Sequence, residues 1–198
     1  MYQKYQTDAL VLASRESGEA DKAYSLYTRD FGLVYARASA VRRETSRMRY
    51  SLQSYSLANI SLVRGKRGWR VAGARPSEAS PISENLPGAK AFGRIAELVT
   101  RLVAGEEKND YLFDSLVEAR HALLSAKYNL EPAISTIEII CVARVLYALG
   151  YISAEALQTT LFSHADYALE SLREAELRRE KLLASINRAL TETQLIRR

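Results

Sequence analysis

The sequence predicts an α+β chain in two parts: a small five-stranded β-barrel over residues 1–75, then an all-α bundle over residues 89–198. Apolar residues recur with period two in the first part and with period 3.6 in the second. Between them, residues 76–88 hold three of the four prolines, Pro76, Pro81 and Pro87, interspersed with Ser77, Ser80 and Ser83. That is the composition of a linker. Charge segregates as well. Val34 to Arg75 carries ten cations and one anion, a net +9 in a chain of net +5, so the remainder sums to −4.

Each strand has its own pattern. Thr7–Ser14 is an apolar run with polar ends, followed by a turn at Ser17-Gly18-Glu19-Ala20-Asp21. Ala23–Thr28 alternates, and Asp30-Phe31-Gly32 turns the chain. Leu33–Ala40 alternates again, with Val34, Ala36, Ala38 and Ala40 on one face and Leu33, Tyr35, Arg37 and Ser39 on the other. Arg42–Ser51 is a basic connection with one helical turn near Met48. Ser54–Val63 is the longest strand, and its apolar phase changes near Ala58-Asn59, which predicts a bulge or bend there. Gly65-Lys66-Arg67-Gly68 is a tight hairpin loop before the fifth strand, Trp69–Ala74. Five short strands with a longer connection after the third fit a closed barrel of the oligonucleotide-binding (OB) type. An open five-stranded sheet is the alternative.

The helical part follows the same logic. Phe92, Ile95, Ala96, Val99, Leu102 and Val103 form one face, ended by Gly105. Asn109 or Asp110 caps a second helix, in which Arg120 lies on the apolar face by its stem and His121 at the surface. Pro132 opens a third, apolar nearly all round, which Gly150 stops in the left-handed conformation. A short helix starts near Ser153. Tyr167 to about Leu195 reads as one long charged helix.

Several kinds of chemistry are excluded. Cys141 is the single cysteine and sits in an apolar run, so neither an internal disulfide nor a thiolate cluster is possible. His121 and His164 have no ligand partners in sequence. Glu106 and Glu107 read as solvated charge in a turn, and Asp21 and Asp30 lack a convergent partner. Gly65-Lys66-Arg67-Gly68 lacks the upstream glycine and the Ser or Thr of a phosphate-binding P-loop. The expectation is a protein without enzymatic activity, cofactor or metal. No secretory leader or membrane span is legible, which points to the cytoplasm.

What remains is a binding surface. The candidate nucleic-acid-binding residues are Arg37, Arg42, Arg43, Arg47, Arg49, Arg64, Lys66, Arg67 and Arg70, with Tyr35 and Trp69 as stacking rings. Guanidinium groups hold phosphates while bases stack on aromatic faces, a pairing suited to single strands. Phosphate contacts carry little sequence information, so affinity without sequence preference is expected. About six such contacts predict a slope of log K against log salt near −4, at about 0.7 per contact.

Three stretches resemble the RecO family of bacterial recombination mediators. Ala9 to Gly32 (ALVLASRESGEADKAYSLYTRDFG) is similar to the family's first two strands and its Gly-Glu-x-Asp turn. Arg42-Arg43-Glu44-Thr45-Ser46-Arg47 resembles its Arg-Arg-x-x-Ser-Arg segment. Arg144 to Ser153 (RVLYALGYIS) resembles its buried helix ending in Leu-Gly-Tyr. The family usually has glycine where this chain has Ser39-Ala40-Val41. Many members follow Leu-Gly-Tyr with a four-cysteine zinc finger; Ser153 to Asp166 contains no cysteine, so the resemblance is to a short form without that metal.

The resemblance implies an OB-fold domain followed by a helical domain. It further implies binding of single- and double-stranded DNA, strand annealing, and loading of RecA with RecR and the single-stranded DNA-binding protein, in the cytoplasm and at the nucleoid. Docking the acidic, apolar tail of that single-strand binder needs a hydrophobic pocket beside a cation, for which Arg120 and Arg144 are the candidates. Two other readings remain open on the residues alone: an RNA-binding OB protein, and an interaction module whose basic patch docks an acidic protein.

Overall fold

The computed structural model describes residues 3–77, 86–125 and 131–193. Five strands come first: β1 (Lys4–Glu16), β2 (Lys22–Thr28), β3 (Gly32–Ala38), β4 (Leu57–Gly65) and β5 (Gly68–Pro76). A single-turn helix, α1 (Met48–Ser51), lies between β3 and β4. The later helices are α2 (Leu86–Leu102), α3 (Asp110–Leu124), α4 (Glu131–Ala148), α5 (Ala154–Leu157), α6 (Leu169–Leu177) and α7 (Arg179–Glu192). Residues 78–85, where Pro81 of the linker falls, lie outside the described residues. Pro87 occupies the first turn of α2, where its missing N–H costs nothing. The chain divides into two compact units, Met1–Ile82 with Ala96–Phe113, and Ser83–Ile95 with Asp114–Arg198.

The first unit is built on a closed barrel in the order β1-β2-β3-β5-β4. Four of its junctions are antiparallel; β3 and β5 run parallel through two registered pairs, Ala36 with Trp69 and Arg37 with Arg70. Small residues, Ala9, Ala36, Ala38 and Ala58, alternate with Leu26, Val34, Ile60 and Leu62 in the core. Mixed sizes let five strands close without a void.

Two bulges set the phase. One lies between Val11 and Ala13 on β1, the other between Ser61 and Leu62 on β4. The second falls further along the strand than the bulge expected at Ala58-Asn59. The reason is that β4 starts at Leu57, not Ser54. Tyr55 sits at φ 64° and donates its N–H to the Val11 carbonyl at 2.8 Å, so it belongs to the turn that delivers the strand. β3 likewise ends at Ala38, because Ala40 takes φ 54°.

Gly32 shows why the β2–β3 turn needs glycine. Its φ is 60°, and a Cβ there would stand 2.1 Å from the Glu107 carbonyl oxygen. Only a residue without a side chain lets the α2–α3 connection approach so closely.

In the second unit α4 packs against α6 and α7. Ile137, Ile140, Cys141 and Leu146 are fully buried, as an all-round apolar helix requires. Arg144, which interrupts the apolar run in sequence, is also fully buried. Its guanidinium donates to the carbonyls of Leu161 (2.9 Å), Ala165 (2.6 Å) and Asp166 (2.9 Å) and lies over the Tyr167 ring. Arg120 is 1% exposed, deeper than burial of its stem alone, and His121 is half-buried rather than at the surface. Neither arginine is an open cation for a docking peptide.

Caps fall where polar residues precede helices. Asn109 Oδ1 accepts the Leu112 N–H at 2.9 Å, and Ser153 Oγ accepts that of Ala156 at 3.3 Å. Gly150 stops the α4 segment at φ 80°. The expected long helix from Tyr167 is instead α6 and α7, broken at Arg178 (φ −108°, ψ 10°). There the Arg178 Nε bonds back to Glu174, which also accepts the hydroxyls of Thr159 and Thr160 at 2.7 Å each. These polar contacts fix the break.

Candidate nucleic-acid interface

The basic residues are brought onto the barrel by three devices. The bulge after Val11 reverses the inward phase of β1. Ala9 and Val11 point into the core, whereas Ala13 and Arg15 are exposed. On β3 the pleat puts Tyr35 (60% exposed) and Arg37 outward while Val34 and Ala36 go in. On the β4–β5 hairpin Gly65 pairs with Gly68, leaving Lys66 and Arg67 at a two-residue tip.

Three depressions of about 460, 490 and 390 Å³ adjoin on this surface. The first is lined by Lys22, Arg42, Arg49 and Gln53, the second by Arg15, Tyr24, Tyr35 and Arg37, the third by Lys66, Arg67 and Arg70. Ser14 and Tyr24 are shared by the first two, and Arg37, Arg67 and Trp69 by the last two. One groove therefore crosses β2 and β3 and ends at the hairpin. Eight cations line it against two carboxylates, Glu16 and Asp21. Among the described residues Arg37, Arg49, Lys66, Arg67 and Arg70 make no ion pair. They present their charge outward, which is how a site for a polyanion differs from a surface of matched pairs. Burial pushes the Tyr24 hydroxyl up to about 12, so at neutral pH it lines the groove as a neutral group.

The expected residues separate into three groups. Tyr35, Arg37, Arg42, Arg49, Lys66, Arg67 and Arg70 line the groove. Arg43 and Arg47 are exposed on the basic connection but line none of the three depressions. Arg64 lines none of the three depressions, and Trp69, although it borders two of them, is largely enclosed by the fold. Trp69 is 6% exposed, within the core, with edge contacts to Tyr5 at 5.5 Å. Its indole N–H donates to Glu106 Oε1 at 2.8 Å, and Arg64 lies 5.2 Å over its ring while pairing with the same carboxylate at 3.3 Å. Trp69 thus presents only a small part of its surface to the groove. Glu106, expected as solvated charge, is the anchor of this trio. Arg15, Lys22 and Tyr24 were not apparent in sequence, because each stands outside the basic stretch; the bulge that turns Arg15 outward has no clear residue signature.

Arg42 is paired with Glu16 at 3.2 Å and reaches the Gly18 carbonyl at 3.4 Å. Asp21 also has a partner the sequence hid: its Oδ1 accepts the Ala40 N–H at 2.8 Å. Among the described residues no group of three or more His, Cys, Asp or Glu converges as a metal site. No described helix is long and apolar enough to cross a membrane.

Residues 1–72, which contain every residue lining this groove, match the family model described as Recombination protein O N terminal. The DNA repair protein RecO of Pelotomaculum thermopropionicum is 34% identical over 120 residues, 60% of this chain and 47% of that protein. The barrel part of the chain is thus similar to the N-terminal part of the RecO family. The DNA repair protein RecO of Heliobacterium modesticaldum is 36% identical over 120 residues, 60% of this chain and 44% of that protein. That of Gloeothece citriformis is 28% identical over 119 residues, covering 60% and 42%. The match to these RecO relatives thus spans under half of their own length.

Proposed function

We propose that this protein is a DNA-binding recombination mediator in DNA repair. The observation that carries the reading is the continuous cationic groove across β2, β3 and the β4–β5 hairpin. In OB barrels this face and its bordering loops take oligonucleotides. Tyr35 offers a stacking face in the same depression as Arg37 and Arg67, and the surrounding cations hold backbone phosphates. Such contacts bind single and double strands without reading sequence. Annealing follows without catalysis, because one basic surface lowers the repulsion between two backbones and raises their local concentration. The protein acts as a binder rather than an enzyme, in the cytoplasm at the nucleoid, with RecR and the single-stranded DNA-binding protein as partners in RecA loading.

The test is titration of labelled single-stranded DNA over a salt series. The wild type runs beside Arg37→Ala/Arg67→Ala/Arg70→Ala and Arg42→Ala/Arg43→Ala/Arg47→Ala. A slope shallower by about 2 in the first variant, from three contacts at about 0.7 each, is expected. The second variant loses less, since only Arg42 of its three lines the groove. Absence of binding at low salt overturns the proposal. Tighter binding of matched RNA than of DNA redirects it.

A further inference from the structure

Asp21 is a carboxylate in the wall of a groove otherwise lined by Arg37, Lys66, Arg67 and Arg70. Charge alone says that it weakens the binding of a polyanion. Its geometry says the opposite. Ala40 occupies the left-handed region at φ 54°, where a residue with a Cβ is disfavoured, and its N–H is held by Asp21 Oδ1 at 2.8 Å. The same turn takes the next amide pair: the Arg42 N–H donates to the Ala20 carbonyl at 3.0 Å.

The basic connection that follows takes its register from Ala40. The Ala40 carbonyl accepts the Arg43 N–H at 3.2 Å, the Arg43 carbonyl that of Ser46 at 3.0 Å, and the Ser46 carbonyl that of Arg49 at 3.3 Å. The spiral then runs into α1 through the Leu52 N–H on the Met48 carbonyl at 3.0 Å. We propose that Asp21 is a positioning residue for the nucleic-acid interface: by fixing Ala40 it pre-organises the Arg42–Arg49 connection, and its net effect on DNA affinity is favourable despite its charge. This rests on the DNA-binding function proposed above.

The test separates the carboxylate's charge from its hydrogen bond. Asp21→Asn keeps an oxygen that can accept the Ala40 N–H and removes the charge. Asp21→Ala removes both. Asp21→Asn is expected to bind single-stranded DNA at least as tightly as wild type. Asp21→Ala is expected to bind about tenfold more weakly, with a salt slope shallower by about 1.4, the share of two phosphates that a disordered connection no longer holds. Glu16→Gln serves as the contrast. Glu16 competes with phosphate for Arg42, so its neutralisation tightens binding. Exchange of the Ala40 amide with solvent, followed by NMR, reports the contact directly: slow in wild type and Asp21→Asn, fast in Asp21→Ala. Equal tightening in both Asp21 variants overturns the inference and leaves a charge effect alone. If wild type binds no DNA, the function proposed above fails, and fast exchange of Ala40 in wild type would then sink the positioning as well.

Discussion

Arg37 and Arg70 stand opposite one another across the single parallel junction of the barrel. No carboxylate pairs with either among the described residues. Two like charges in register on neighbouring strands oppose each other and destabilise the pairing. Both line the groove. The arrangement is costly to the fold and useful to a ligand that brings negative charge. Arg70→Gln is therefore expected to raise stability by a few tenths of a kcal/mol in urea unfolding while weakening DNA binding. A loss of stability with unchanged binding would show that Arg70 serves the barrel.

Gly32 should tolerate no side chain. Gly32→Ala combines a left-handed backbone with a Cβ 2.1 Å from the Glu107 carbonyl. The expected loss is about 3 kcal/mol, from roughly 1–2 for the backbone and a comparable overpacking cost. Denaturant unfolding monitored by circular dichroism measures it. Gly18→Ala is the comparison, since its φ is 88° but nothing lies within 4 Å of the added carbon. It should cost only the backbone share.

Alkaline pH should destabilise the fold through buried acids. Burial pushes the Cys141 thiol up to about 12 and the Tyr24 hydroxyl up to about 12. Folding holds these protons more tightly than the unfolded chain does. The stability they contribute is complete below about 9 and is lost as pH rises towards 12. Cys141→Ala should flatten the fall in stability between pH 9 and 11. In the native wild type the thiol should resist a thiol reagent at pH 8 and react at the rate of unfolding.

Glu174 should act at the opposite end of the scale. Burial raises its pKa, but hydrogen bonds from Thr160, Thr159 and Arg178 outweigh that and lower it to about 2. Stability from this group is present above the ordinary carboxylate range and is lost as pH falls through about 2. Glu174→Gln should be less stable than wild type at pH 7, and the gap should narrow as pH approaches 2. A gap that does not change with pH would mean that shape rather than charge carries the contact at the α6–α7 break.

The parts of this molecule that are legible in sequence are those governed by local periodicity. Apolar runs, alternation and turn residues locate all five strands, and of the inward set Val34, Ala36, Ala38 and Ala40 the first three lie in the core. Asn109, Ser153 and Gly150 act as local capping rules require. What escapes depends on partners distant in sequence. Trp69 reads as a stacking ring because Glu106, 37 residues on, is invisible to local patterning. Asp21 reads as unpartnered because Ala40 meets it only once β2 and β3 have paired. Arg15 is hidden because a bulge inverts the phase that alternation assumes. The clustered cations mark most of the groove; the isolated Arg15, Lys22 and Tyr24 join it only with the barrel closed.

The trio of Trp69, Arg64 and Glu106 has a practical corollary. The chain contains one tryptophan beside twelve tyrosines, so emission excited at the red edge of absorption, where tyrosine does not absorb, comes from a single, shielded indole. That indole follows directly on the Lys66–Arg67 hairpin, with a guanidinium above it and a carboxylate on its nitrogen. Anything that draws Arg64 away alters the field around the emitter. The protein is thus self-reporting: occupancy of the hairpin end can be followed by intrinsic fluorescence, with no dye attached to either molecule.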